Sequence, residues 1–196
     1  MKNELKLDLL KKIANETAIL RKSIVEQMGE KILEVAAVIS GVIGSGGLFM
    51  IAGNGGSAAD ASHFAAEMIV RLTADRNRQA LPALALGTDL SVLTAAGNDF
   101  GFENIFSRQV EGLGHKGDML FVISTSGNSS NLVKAVQRAK ELGLLTVGLL
   151  GNEGGQLAHL VDRALIVPHV STQRIQEEHI FIIHLLVELI ESDLFS

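Results

Sequence analysis

The period of the hydrophobic positions changes several times along the chain, and each change marks an element. Leu5, Leu9, Ile13, Leu20 and Ile24 recur at roughly helical spacing among Lys, Glu and Asp, which predicts an amphipathic N-terminal helix. A second helix is expected over about 29–43, so that two helices precede the alternating part of the chain and cover the sheet or meet another subunit. Residues 47–52 form a short apolar run that ends at Gly53-Asn54-Gly55-Gly56, and Ser57 opens an Ala-rich segment of good helix propensity. That pattern reads as strand, glycine turn, helix. A second strand is expected over 81–86, and Pro82 near its start marks it as an edge.

Residues 88–96 read as a short helix. An interruption over 97–102 follows, holding Asn98 and Asp99, and then an amphipathic helix over about 104–113. Buried strands are expected over 118–123, 144–150 and 164–167, with helices over 131–142 and about 156–160 between them. The last helix, about 173–194, is apolar on most faces from Ile180 to Ile190, as expected of a helix buried in an assembly. Strands alternating with helices predict an α/β fold with a parallel sheet and right-handed crossovers.

Composition narrows the function. At 196 residues with 47% hydrophobic content, the chain suits one domain with a sizeable core. Seventeen Lys and Arg against 22 Asp and Glu give a net charge of −5, with no basic stripe to follow a nucleic-acid backbone, so no nucleic-acid partner is expected. The absence of Cys excludes disulfides and thiolate metal sites, leaving His, carboxylate and amide groups as the only ligands for a metal. The N-terminal segment mixes acids with bases and lacks the apolar core of a signal peptide, so a cytoplasmic location is expected. Residues 32–52 are nearly long and apolar enough for a membrane span, but Glu34 and the Gly44-Ser45-Gly46-Gly47 breaker make them the end of a helix, a turn and a strand.

Two loops carry the chemistry. A glycine turn into a helix leaves the first amide N–H groups without backbone partners, at the positive end of the helix dipole, where phosphate fits. Gly53-Asn54-Gly55-Gly56-Ser57-Ala58 also satisfies a loose dinucleotide fingerprint, but Asp89 lies too far along to serve as its acid. The run from Ser124 to Ser130 offers five hydroxyl side chains ahead of a helix, where one would suffice as a cap, and favours phosphate binding. Two such loops on adjacent strands converge on one crevice.

His63 and Glu67 stand four residues apart on one helix, about 40° around its axis, roughly two turns or more from the glycine turn. Gln176, Ile180 and His184 step down one side of the last helix, and His184 lies inside an apolar run, where it needs a partner. It reads either as a satisfied core histidine or as part of a Zn²⁺-type site with His63, Glu67 and Gln176. Asn98-Asp99 is by default a turn pair. Arg71, one turn beyond Glu67, is by default solvated.

The strings AGNGGSAADASHFAAE, AAGNDFGFENIFSRQV, ISTSGNSSNLVKA and RIQEEHIFIIH resemble the sugar isomerase (SIS) domain family, and most closely its phosphoheptose isomerase branch, in the right order over nearly the whole chain. The resemblance implies a flavodoxin-like three-layer sandwich with a five-stranded parallel sheet, a homotetramer with sites between subunits, and a sugar-phosphate substrate. It further implies isomerisation of sedoheptulose 7-phosphate to D-glycero-D-manno-heptose 7-phosphate, on the way to ADP-heptose. His63, Glu67, Gln176 and His184 match the family's zinc positions. Asn54, Gly55, Gly56, Asn98, Asp99, Ser124, Thr125, Ser126, Ser129 and Gln176 match its substrate contacts; Glu67 and Arg71 are counted with them. Glu67 corresponds to the general base and His184 to the acid. Where some members carry an Asp at position 173, this chain has Gln173. A non-catalytic adaptor of the same fold, akin to the replication-initiator-associating protein, resembles the 81–96 region but lacks the equivalents of Glu67 and His184; a sugar-phosphate-sensing module is the other alternative.

Overall fold

The computed structural model describes residues 2–195, with nothing of the Lys2 side chain. Five parallel strands, β1 (Phe49–Gly53), β2 (Ala83–Ala85), β3 (Met119–Ser124), β4 (Leu145–Gly151) and β5 (Arg163–Val167), form one sheet in the order β2-β1-β3-β4-β5. This is the flavodoxin-like order, and the direction of winding reverses at β1. The edge position expected from Pro82 holds, although β2 is only three residues long.

The strands are buried on both faces, so alternate side chains serve two cores. Phe49, Ile51, Met119, Phe121, Ile123, Val147, Leu149, Leu165 and Val167 face α1 (Lys2–Gly44), α2 (Gly56–Ile69) and α7 (Thr172–Phe195). Met50, Ala52, Leu120, Val122 and Leu150 face α3 (Leu90–Phe100), α4 (Ile105–Leu113), α5 (Ser130–Glu141) and α6 (Gly155–Leu160). Phe49, Phe64 and Phe121 pack edge to face, with ring centroids 5.1–5.8 Å apart, and fix α2 against the centre of the sheet.

Two boundaries differ from expectation. The N-terminal region is one helix of 43 residues rather than two. Gly29 costs about 1 kcal/mol in a helix interior, but Ile24, Met28, Ile32, Val35 and Ile39 are all buried on one stripe, and that burial outweighs it. The second difference is that α3 runs through to Phe100. The Asp89 side chain caps it by accepting from the Ser91 and Val92 amides, and the chain breaks only at Gly101, whose φ of 85° ends the helix. Asn98 and Asp99 are therefore helical. Among the described residues no helix is long and apolar enough to cross a membrane.

Candidate functional site

The sheet places the glycine turn after β1 beside the hydroxyl loop after β3, since Gly53 pairs in register with Ile123. Their closeness is fixed by a residue the sequence reading passed over. Asn131, buried in the first turn of α5, donates to the Asn54 side chain and accepts from it, both at 2.9 Å. The only sequence signal for it was an amide directly following the hydroxyl run.

Within the hydroxyl loop, Ser124 Oγ accepts from the Gly127 amide at 3.1 Å, and Ser126 Oγ from the Asn128 amide at 3.3 Å. Thr125 contributes its carbonyl, which accepts from the Asn152 side chain. Ser129 stands at the N-cap of α5 but makes no capping bond with its side chain, so its hydroxyl is not used to cap the helix. The glycine turn is tighter than expected. Ser57 and Ala58 donate back to the carbonyls of Asn54 and Gly55, so fewer α2 amides remain for an anion than a simple strand-to-helix turn provides.

Gly56, His63 and Glu67 lie along the side of α2 that faces α7, and α7 presents Gln176 and His184 to them. The Gln176 amide rests against Gly56 so closely that any β-carbon there would overlap it. Two turns on, three groups converge. His63 Nε2 lies 2.8 Å from Glu67 Oε1 and 3.1 Å from His184 Nε2, and His184 Nε2 is 3.6 Å from Glu67 Oε1. The three ligand atoms fall within 4.8 Å of one another. The Glu67 carboxylate is mostly buried, and its Oε2 has no hydrogen-bond partner.

That geometry can be tested against a cation. A proton on His63 Nε2 satisfies Glu67 Oε1 but leaves that nitrogen no lone pair with which to accept from His184, so hydrogen bonding does not satisfy all three atoms at once. Two imidazole nitrogens and a carboxylate oxygen converging on one point fit a divalent metal of the zinc type. Asp60, one turn before His63, also buries an oxygen without a partner; burial raises its carboxyl above the ordinary range, with His63 pulling the other way.

Other expected site residues stand elsewhere in the single chain. Gln176 sits at the glycine turn, about two turns of helix from the His63, Glu67 and His184 cluster. Asn98 and Asp99 are exposed on the last turn of α3, where Asn98 donates to Asp99 at 2.7 Å. Asp99 lines a cavity of about 550 Å³ with Thr88 and Arg108, separate from the one beside Asn54 and Gly55. Arg71 lies past the end of α2 and donates to the Ala74 carbonyl at 3.0 Å, because the helix stops at Ile69 rather than carrying Arg71 round to the face of Glu67.

Comparison with known proteins gives consistent neighbours. A model of the SIS domain matches residues 13–151. The phosphoheptose isomerase of Geotalea daltonii is 50% identical over 175 residues, 89% of this chain and 90% of that protein, and the phosphoheptose isomerase of Aquifex aeolicus is 46% identical over 185 residues, covering 94% and 96%. Among solved structures, the phosphoheptose isomerase GmhA from Neisseria gonorrhoeae superposes with a TM-score of 0.88 at 41% identity, covering 96% of this chain and 99% of that one. A phosphoheptose isomerase from Francisella tularensis superposes with a TM-score of 0.91 at 33% identity, covering 95% and 98%.

Proposed function

The chain belongs to the SIS domain family, among its phosphoheptose isomerases, and we propose that it converts sedoheptulose 7-phosphate to D-glycero-D-manno-heptose 7-phosphate through an enediol, with Glu67 as base and His184 as acid. It is an aldose-ketose isomerase. The observation that carries the assignment of roles is the meeting of a carboxylate on the first crossover helix with an imidazole on the last, 3.6 Å apart. A base and an acid within reach of neighbouring substrate atoms are what proton transfer beside a carbonyl requires.

Starting from the ketose, Glu67 takes a proton from C1, and the electron pair of that C–H bond becomes the C1–C2 double bond. The carbonyl oxygen on C2 receives a proton from His184, giving the enediol. Glu67, whose carboxyl proton exchanges with solvent while it is held, then delivers a proton to C2 while His184 recovers one from the C1 hydroxyl, leaving an aldehyde at C1 and both side chains as they began. His63, Glu67 and His184 would hold a zinc ion, with Gln176 as the further ligand the family resemblance implies; that ion would supply a Lewis acid for the developing oxyanion in place of the proton from His184, whose Nε2 cannot bind metal and carry a proton at once.

The far end of the substrate is assigned to Asn54, Gly55, Gly56, Ser124, Thr125, Ser126 and Ser129, with the hydroxyl loop on the phosphate. From Gly56 to His63 is about 10 Å along α2 at 1.5 Å per residue, comparable with an extended seven-carbon sugar phosphate. Asn98, Asp99 and Arg71 complete the substrate contacts in this reading from a neighbouring subunit of a homotetramer acting in the cytoplasm. Incubation of purified protein with sedoheptulose 7-phosphate, with and without added zinc, tests the whole: aldose product is expected, and none under either condition overturns it.

A further inference from the structure

Arg78 leaves α2 behind in sequence but returns to its end in space. Its side chain is 1% exposed, and four of its five N–H groups are accounted for. Nη2 donates to the Glu67 carbonyl at 2.7 Å; Nη1 donates to the carbonyls of Met68 at 2.8 Å and Gln79 at 3.0 Å; Nε donates to Glu191 Oε1 at 2.7 Å. Glu67 and Met68 are in the last turn of α2, where backbone carbonyls have no partner within the helix and favour a positive charge. Glu191 is 3% exposed and belongs to α7, seven residues beyond His184.

One guanidinium therefore ties the peptide of the proposed base to the helix that carries the proposed acid. We infer that Arg78, held by Glu191, is a positioning residue that sets Glu67 against His184; this rests on the reading of Glu67 as the base. A buried ion pair adds little stability over well-packed apolar side chains. What the pair adds here is direction, because the planar fork reaches two consecutive carbonyls and a carboxylate together, which a lysine ammonium does not do. Arg76 Nε, 3.8 Å from Glu191 Oε2, places a second positive charge on the same carboxylate, 44% exposed where Arg78 is buried.

Two variants test this. Arg78→Lys keeps the charge and removes the fork, and R78M/E191L replaces the pair with apolar bulk. In both, kcat is expected to fall at least about tenfold with KM within about threefold, as for a displaced catalytic group. Amide hydrogen exchange over residues 67–70, read on the protein without substrate, is expected to rise at least about tenfold, and R78M/E191L is expected to keep the wild-type melting temperature while kcat stays low. Wild-type kcat in either folded variant, an equal loss confined to KM, or unchanged exchange in Arg78→Lys overturns the proposal. The two readings fail separately: an inert wild-type protein defeats the role given to Glu67, whereas exchange at 67–70 judges the clamp by itself.

Discussion

Asn54 and Asn131 hold each other amide to amide through two hydrogen bonds of 2.9 Å, bridging the glycine turn after β1 and the first turn of α5. Each side chain gives one N–H to the other's oxygen, and the reciprocal pair holds the two loops at one spacing. The loops carry the residues assigned to the phosphate end, which makes this pair a spacer for the site.

Asn131→Ala leaves the Asn54 amide without its partner in a part-buried setting and is expected to cost about 1–2 kcal/mol, read from urea unfolding. The KM for sedoheptulose 7-phosphate should rise more than kcat falls. In the double variant N54A/N131A the two losses should sum to more than the measured total, since both remove the same bonds.

Gly127→Ala attacks the hydroxyl loop from behind. Gly127 has a φ of 65°, and a β-carbon there would run into the Gly154 carbonyl of the turn before α6. Backbone strain and overlap together are expected to cost about 3 kcal/mol in urea unfolding. Because the turn cannot move without the loop, KM should rise in whatever protein folds.

Much of this was legible in the sequence, and the failures have physical causes. The alternating fold and the edge position of β2 follow from period and Pro82, and helical spacing pairs His63 with Glu67; that His184 joins them is what the family resemblance implies, since no spacing relates two separate helices. Gly29 misled because local propensity says nothing of the apolar stripe around it, which α7 covers. Asn98 and Asp99 read as a loop because Gly97 looks like a stop, whereas α3 carries Gly97 in its interior and ends only at Gly101, where the positive φ breaks it. Arg78 carried no signal at all: its worth depends on where a polar connection folds back, and no spacing encodes that.

His179 gives the fold a pH dependence. It is wholly buried on α7 and neither ring nitrogen completes a hydrogen bond, although the Leu150 backbone lies close enough to favour the charged ring somewhat. Burial pushes its pKa down from the ordinary 6.5 to about 4. The unfolded chain then binds a proton that the folded chain refuses, so stability is full above pH 6.5 and falls as pH drops from there toward 4, by about 3 kcal/mol in all. Thermal melts between pH 7.5 and 4.5 should show this fall in the wild type. His179→Phe should flatten it.

The central claim is that Glu67 moves the proton, and solvent isotope exchange reads that step directly. With sedoheptulose 7-phosphate in D₂O, the wild-type protein should yield aldose carrying deuterium at C2, while folded Glu67→Gln should lose both turnover and exchange by about a thousandfold. Glu67→Gln that still washes deuterium into substrate or product at the wild-type rate would contradict the account.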